Sequence, residues 1–518
     1  MRRIGVFVAC LFAGCGGGGG PASPPGPAIA DPVLATLAGG PVRVTGRGFG
    51  APRAGAALVL GDGTEIASLD PAVARWEDGR VEALLPAGAK SGTLAVVTPG
   101  GKSAAVPFEI YVYDWFAIPP TPGTNASPLS VAVGADGRVW INQEFHKGEL
   151  HVYQPADGKV VAIPIPGPPE PGIFATKIFA DHRTTMSMCG EDILVDPRGR
   201  VWFTQGGGYL YDGRHPNHSR VVCYDPEAPE GSRFRVYNVP GDQNEVIGIA
   251  WDAKRGRIWF AQGGLKAGAR LWSFDPERVP SDPAFDFSTS LDALVNPADP
   301  AAGYRAYDLP FRDDQPAHLA VDPDGSVWFS AYWRNRIGRL VPETGVVQEV
   351  PLPKAIGKSP PTAIVGGGPW SVHVAADGAV VFNEFFDSTL TRIDAARVRA
   401  GDAACFALDG EGRNPCILQS LVVPEADLLN EQVHSSAYDR EGRLWYTIHG
   451  PNETAAPGGR ASLGFVTADW KWIVRLPPLP RAAGEGALSA NGIAIDPKNG
   501  DIWFAEYWSH RLGRLRRQ

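Results

Sequence analysis

Methionine is scarce in this chain and long hydrophobic runs are missing. Only 3 Met stand among 518 residues. No apolar run reaches the roughly 18 residues of a membrane-spanning helix, which argues against a helical span. Positive charge is not in excess: 48 Lys and Arg face 56 Asp and Glu, a formal net charge of −8. Without a basic stripe to neutralise phosphates, nucleic acid is not an expected partner. Cysteine is sparse at 6, and no Cys-x-x-Cys occurs, so a structural zinc site is not expected. Turn formers and large aromatics abound instead, with 63 Gly, 48 Pro and 15 Trp. That composition suits many short strands joined by tight turns.

The strands repeat. The clearest copy is Asn491-Gly-Ile-Ala-Ile-Asp-Pro-Lys-Asn-Gly-Asp-Ile-Trp-Phe-Ala-Glu506: a small apolar strand, a turn, then a β-branched and aromatic strand. Related text begins at Val131, Ile193, Ile249, Leu319, Val372 (with Val381 in the Trp place) and Ser436. Successive Trp positions lie roughly 53 to 69 residues apart, a period that marks a β-propeller. Third strands such as Arg336 to Leu340 and fourth strands such as Val347 to Pro351 complete four-stranded units. The last unit has only three, and Asp114 to Pro119 reads as the missing one. The expectation is an all-β chain: a seven-bladed propeller over residues 113–518, closed by its N-terminal strand.

Ahead of it, Met1 to Cys15 has a basic start, a short apolar stretch and small residues before Cys, as in a lipoprotein leader. A Gly/Pro-rich tether follows over 16–30. Acylated Cys15 would hold the protein to a membrane, giving an exported cell-envelope lipoprotein. Residues 31–112 alternate apolar positions between Gly-rich turns, the pattern of a small β-sandwich. Their Gly46-Arg-Gly-Phe-Gly50 turn, Trp76, Leu85-Pro86 and Ser91 to Thr98 resemble an IPT/TIG immunoglobulin-like domain, which implies a spacer or interaction module. Export permits disulfides: Cys405 with Cys416, and Cys189 with Cys223.

Function is sought where the repeats differ. Three residues past the Trp position stand Gln143, Gln205, Gln262, Ala331, Glu384, Ile448 and Glu506. At or beside the start of the inner strand stand Ser130, Asp192, Gly248, His318, Ser371, His434 and Asn491, and Tyr332 and His449 follow the exits. Both sets belong to one face of the disk, so a polar ring is expected around the channel mouth, suited to a small-molecule or glycan ligand on a monomer. Gln143, Gln205, Gln262, Asp192, Tyr332, His449 and Asn491 are its candidate ligand contacts. Facing carboxylates and imidazoles can hold a cation or shift one another's pKa.

The phrases Pro316 to Phe329 and Asn335 to Pro353 resemble the virginiamycin B lyase (streptogramin lyase) family, over roughly residues 113 to 518. That resemblance implies a carbon–oxygen lyase in which Mg²⁺ assists a His base. Glu384 and Glu506 match the family's cation-holding phrase, and His434 matches a His that starts an inner strand, with His318 as a second candidate base. Asn491 departs from the pattern, standing where a His is wanted beside Glu506, and Asn cannot act as a base. A non-catalytic binding lipoprotein and a metal-dependent lactone hydrolase of the gluconolactonase type are the alternatives.

Overall fold

The computed structural model describes residues 26–31, 33–119, 127–144, 149–165, 188–189, 192–207, 219–239, 245–263, 268–279, 281, 303–353, 367–424, 431–450, 461–480 and 489–518. Cys15, the leader, most of the tether and most of three insertions lie outside these residues, as does the side chain of Cys189. The chain divides into two units, described separately.

The first unit holds two antiparallel sheets. One orders Ala28–Ile29, Pro41–Arg47, Arg80–Leu84 and Val73–Glu77; in the other, Gly92–Thr98 lies beside Ala57–Leu60, and Glu65–Ala67 follows. Alternation in the sequence becomes burial of alternate residues, with Val42, Val44, Leu58, Leu60, Val81, Ala83, Leu94 and Val96 inside. Trp76 is buried too, and its indole N–H donates to the Phe49 carbonyl at 3.3 Å.

The second unit is propeller-like. Its inner strands are Ser127–Val133, Ile193–Val195, Glu245–Asp252, Pro316–Val321, Pro369–Val374, Gln432–Tyr438 and Ala490–Ile495. Each begins an antiparallel run of four strands. Each inner strand packs against the next, and the first packs against the last. The final run is Ala490–Ile495, Ile502–Glu506 and Arg511–Arg517, completed by Val106–Ala117. Tyr111 to Ala117 pair in register with Arg517 to Arg511, so the closing strand engages two residues earlier than the expected boundary at 113.

The recurring Asp and Trp of the repeat turn out to be one device. The turn Asp accepts backbone N–H bonds on one oxygen and the indole N–H of the second-strand Trp on the other: Trp202 to Asp196 at 3.0 Å, Trp259 to Asp252 at 3.3 Å, Trp328 to Asp322 at 2.9 Å and Trp445 to Asp439 at 2.9 Å. Where Val381 replaces Trp, Ala375 replaces Asp. The blades' faces look at one another rather than at the channel. Trp202, Val221 and Tyr237 of one blade share a core with Val246, Ile258 and Phe260 of the next, and the other interblade cores repeat this.

Cys405 and Cys416 form the expected disulfide, stapling an insertion that begins with the short helix Ala395–Arg399. The second expected pairing is not formed. Cys223 is a free thiol registered opposite Trp202 and buried in the core between two blades, where hydrophobic packing rather than a bridge fills the space.

Candidate ligand site in the central channel

Six inner strands carry a register shift near their start: between Pro128 and Ser130, Val246 and Ile249, Pro316 and Leu319, Pro369 and Val372, Val433 and Ser436, and Ala490 and Ile493. A β-bulge re-aims side chains that a regular strand would point at the neighbouring blade. The bulges hold His318, Trp370, Ser371, His434 and Asn491, and Ser130 directly follows the first of them.

A polar residue two past the Trp position locks these bulges from blade to blade. Thr204 accepts from the Asp192 N–H at 3.1 Å and donates to the Ile247 carbonyl at 2.7 Å. Ser330 accepts from His318 N–H at 2.9 Å and donates to the Trp370 carbonyl at 2.6 Å. Asn383 links Ser371 to the Val433 carbonyl, and Thr447 links Ser435 to the Asn491 carbonyl. Polar residues at fully buried strand positions were the signal for this relay in the sequence, and it was missed there.

A cavity of about 910 Å³ follows the channel, lined by Ser130, Asp192, His318, Trp370, His373 and His434 among others. Asp192 and His318 come from blades two apart, with Nδ1 and Oδ2 at 3.4 Å. Gly248 of the blade between them makes room: a Cβ there would lie 2.2 Å from the Ala317 carbonyl oxygen. The Asp192 carboxylate is held by the backbone N–H of Ile193 at 2.9 Å and of Ile249 at 3.0 Å.

Trp370, at the same bulge position as His434 and Asn491, is the centre of the mouth and was not foreseen. Its ring lies 5.2 Å from His318, 5.1 Å from Tyr332, 6.2 Å from Phe385 and 5.7 Å from His434. His434 continues the arc to His449 at 5.9 Å, and His449 to Tyr507 at 6.4 Å. Phe386 packs on Tyr332, and Trp508 on Tyr507. The exit aromatics therefore join the imidazoles in one wall.

Burial, with neighbouring His449 and His318, holds His434 well below the usual imidazole range; burial likewise pushes His373 down to about 4. Both are neutral at pH 7. His449 Nδ1 lies 3.0 Å from Asn491 Oδ1 and 2.6 Å from the Ser489 hydroxyl, which itself donates to Asn491 Oδ1 at 2.6 Å. An amide oxygen only accepts, so with Asn491 Oδ1 turned toward the ring this set is satisfied by a His449 proton on Nδ1. Ser489 is fully buried on the wrong nitrogen to be a nucleophile.

None of the residues three past the Trp position is in the cavity lining. A second strand stands one strand outward from the axis, so its side chains point at adjacent blades. Gln205 accepts from Arg220 at 2.6 Å and Gln262 from the Trp272 indole, each on its own third strand. Gln143 is buried. Glu384 accepts from Thr389 at 2.7 Å and Thr391 at 3.4 Å, and burial pushes its carboxyl up to about 7. Glu506 accepts from Tyr113 and from Ser509 at 2.8 Å. Each Glu is engaged by hydroxyls within its own blade. Among the described residues the one group of three potential ligand side chains is Asp402, Cys405 and Cys416, whose cysteines are bonded to each other. Glu384, Glu506 and His434 are not gathered into one such group. Asp192, Tyr332, His318, His434, His449 and Asn491 are the expected residues that do gather at the mouth.

No family model matches the chain, and no curated protein matches it. Among solved structures, a streptogramin B lyase superposes with a TM-score of 0.51 at 19% identity, covering 79% of this chain and 98% of that one. A catalytically inactive His-to-Ala variant of virginiamycin B lyase from Staphylococcus aureus, with quinupristin, gives 0.49 at 18% identity over 78% and 99% of the two chains. An auxiliary nutrient binding protein from Bacteroides thetaiotaomicron gives 0.44 at 10% identity over 96% and 99%. At these identities the first likeness shows the fold alone, and that fold is propeller-like.

Proposed function

We propose that the chain is an exported, Cys15-anchored seven-bladed β-propeller, preceded by an IPT/TIG-like module, that binds a small molecule in its central channel. The observation that carries this is the continuous aromatic and imidazole wall of Trp370, His318, His434 and His449 beside a cavity of about 910 Å³. Such a cavity, with a few convergent polar groups on an apolar lining, is the usual form of a ligand site. Quenching of Trp fluorescence and calorimetry across a small-molecule library test it. Binding that His434→Ala and Trp370→Ala leave intact places the ligand elsewhere and refutes the channel site.

A second function, carbon–oxygen elimination, is favoured by His449. In this reading the imidazole of His449, oriented by Asn491, takes a proton from carbon as the C–O bond breaks and the pair of electrons leaves on oxygen. Chromatographic turnover of a cyclic depsipeptide checks this: activity that resists chelator and disappears in His449→Ala supports it, and no turnover sinks it.

A further inference from the structure

We propose that the channel ligand is a neutral saccharide, with one sugar ring stacked on the indole of Trp370. This rests on the channel site just proposed and names the class of molecule it takes. The first ground is charge. Asp192, Asp322, Asp324 and Arg399 are the charged side chains of the cavity lining. Asp192 is held by two backbone N–H groups beside His318, at the aromatic mouth. Arg399 pairs with Asp322 and Asp324 at the far end of the inner strands, its guanidinium Nε 3.3 Å from Asp324. No lining charge is left without an opposite or a donor. An anionic ligand would give up its hydration without a counter-charge to replace it, whereas a neutral one has no such cost.

The second ground is the shape of the aromatic wall. Four rings touch Trp370, and none lies parallel to it: the interplanar angles are 66° to His318, 73° to Tyr332, 45° to Phe385 and 60° to His434. None of these neighbours stacks parallel on the indole, which is only half-buried, and an indole face is what the C–H side of a sugar ring packs against. The third ground is hydrogen bonding. Ser130 Oγ, His318 Nε2 and Trp370 Nε1 are buried without a partner, and Ser130 is only 8% exposed. The lining thus offers both donors and acceptors that the protein leaves unused, and hydroxyl groups both donate and accept. A flat hydrocarbon would satisfy the wall and leave these groups unmet. A quaternary ammonium would fill only a small part of the cavity.

The full chain in detergent is titrated calorimetrically with neutral tetrasaccharides of glucose, xylose, mannose and galactose, and with tetragalacturonate, tetramethylammonium and a cyclic depsipeptide. At least one neutral tetrasaccharide is expected to bind, with affinity lowered at least about tenfold in Trp370→Ala and only a few-fold in Trp370→Phe. The Phe variant keeps an aromatic platform, so it separates a lost stack from a collapsed wall. Failure of all neutral tetrasaccharides to bind overturns the saccharide class. Binding of a charged probe or the depsipeptide alone, lost in Trp370→Ala, also overturns it and leaves the channel site standing. Saccharide binding that Trp370→Ala does not touch overturns both.

Discussion

Gly248→Ala is the sharpest single test of how the channel is built. The added Cβ would lie 2.2 Å from the Ala317 carbonyl oxygen, 2.8 Å from His318 Cα and 3.1 Å from the Ala317 carbonyl carbon. All three are backbone atoms, so no side chain can swing away. Ordinary heavy-atom contacts begin near 3.5 Å, and the two inner strands would have to part by about 1 Å. Overpacking of this kind costs about 1–3 kcal/mol. Parting the strands also threatens the bond from the Ile249 N–H to Asp192, and hydrogen bonds to charged groups are worth about 1.5–3 kcal/mol. Against this, Ala in a strand interior gains roughly 0.5–1 kcal/mol over Gly. The net expectation is a loss of about 3 kcal/mol, a large part of ordinary domain stability. Guanidinium unfolding followed by Trp fluorescence measures it. Gly231→Ala is the control, since nothing lies within 4 Å of its Cβ. An unchanged midpoint for Gly248→Ala would mean that the inner strands part freely and that the wall around Asp192 and His318 is not fixed, refuting the packing logic of the site.

Glu384 gives a pH signature. Its folded pKa, raised to about 7 from a model-compound 4.5, means that the native state binds the extra proton between those values. Stability from this group is therefore present at low pH and lost as pH rises through about 7, by an amplitude of about 3 kcal/mol. Glu384→Gln should remove that component from a pH series of unfolding midpoints. His373, lowered to about 4 from 6.5, has the opposite sign, its contribution being lost as pH falls from 6.5 toward 4, so only the difference between wild type and variant isolates Glu384. Asp196→Ala should cost about 1–3 kcal/mol by leaving the buried Trp202 indole without its acceptor and Arg200 with Glu277 alone, read from the same denaturation curves.

The propeller was legible because its grammar is local. Asp–turn–Trp repeats at an offset of six or seven residues, and in four copies the Asp and Trp are joined by a hydrogen bond that stays within one blade. The closing strand was legible for the same reason, as a fourth strand without a blade. Half of the site was not. Parity decides it: Glu384, Glu506, Gln205 and Gln262 sit at the right height but on strands whose faces look sideways, and distance along the chain does not reveal which side chains turn toward the axis. The bulges do the turning, and their trace in the sequence is faint. A Ser, Thr or Asn at a buried strand position, as in Ser330, Asn383 and Thr447, is the mark to look for. Trp370 shares its bulge position with His434 and Asn491, but in its blade the residue one place later, Ser371, matches the repeat as read from the chain.

Ring closure by Tyr111 to Ala117 against Arg511 to Arg517 changes what it means to damage this protein. The two segments are about 400 residues apart, as Asp114 and Arg514 show with their ion pair at 2.9 Å. A hoop fastened to itself has no loose end from which to unravel. A protease that nicks one surface loop leaves every blade still gripped on both flanks, whereas stripping away the last seven-residue strand would open the whole hoop at one seam. Resistance to wear therefore depends less on any single loop than on that clasp, which is the last part of the hoop to be made during synthesis.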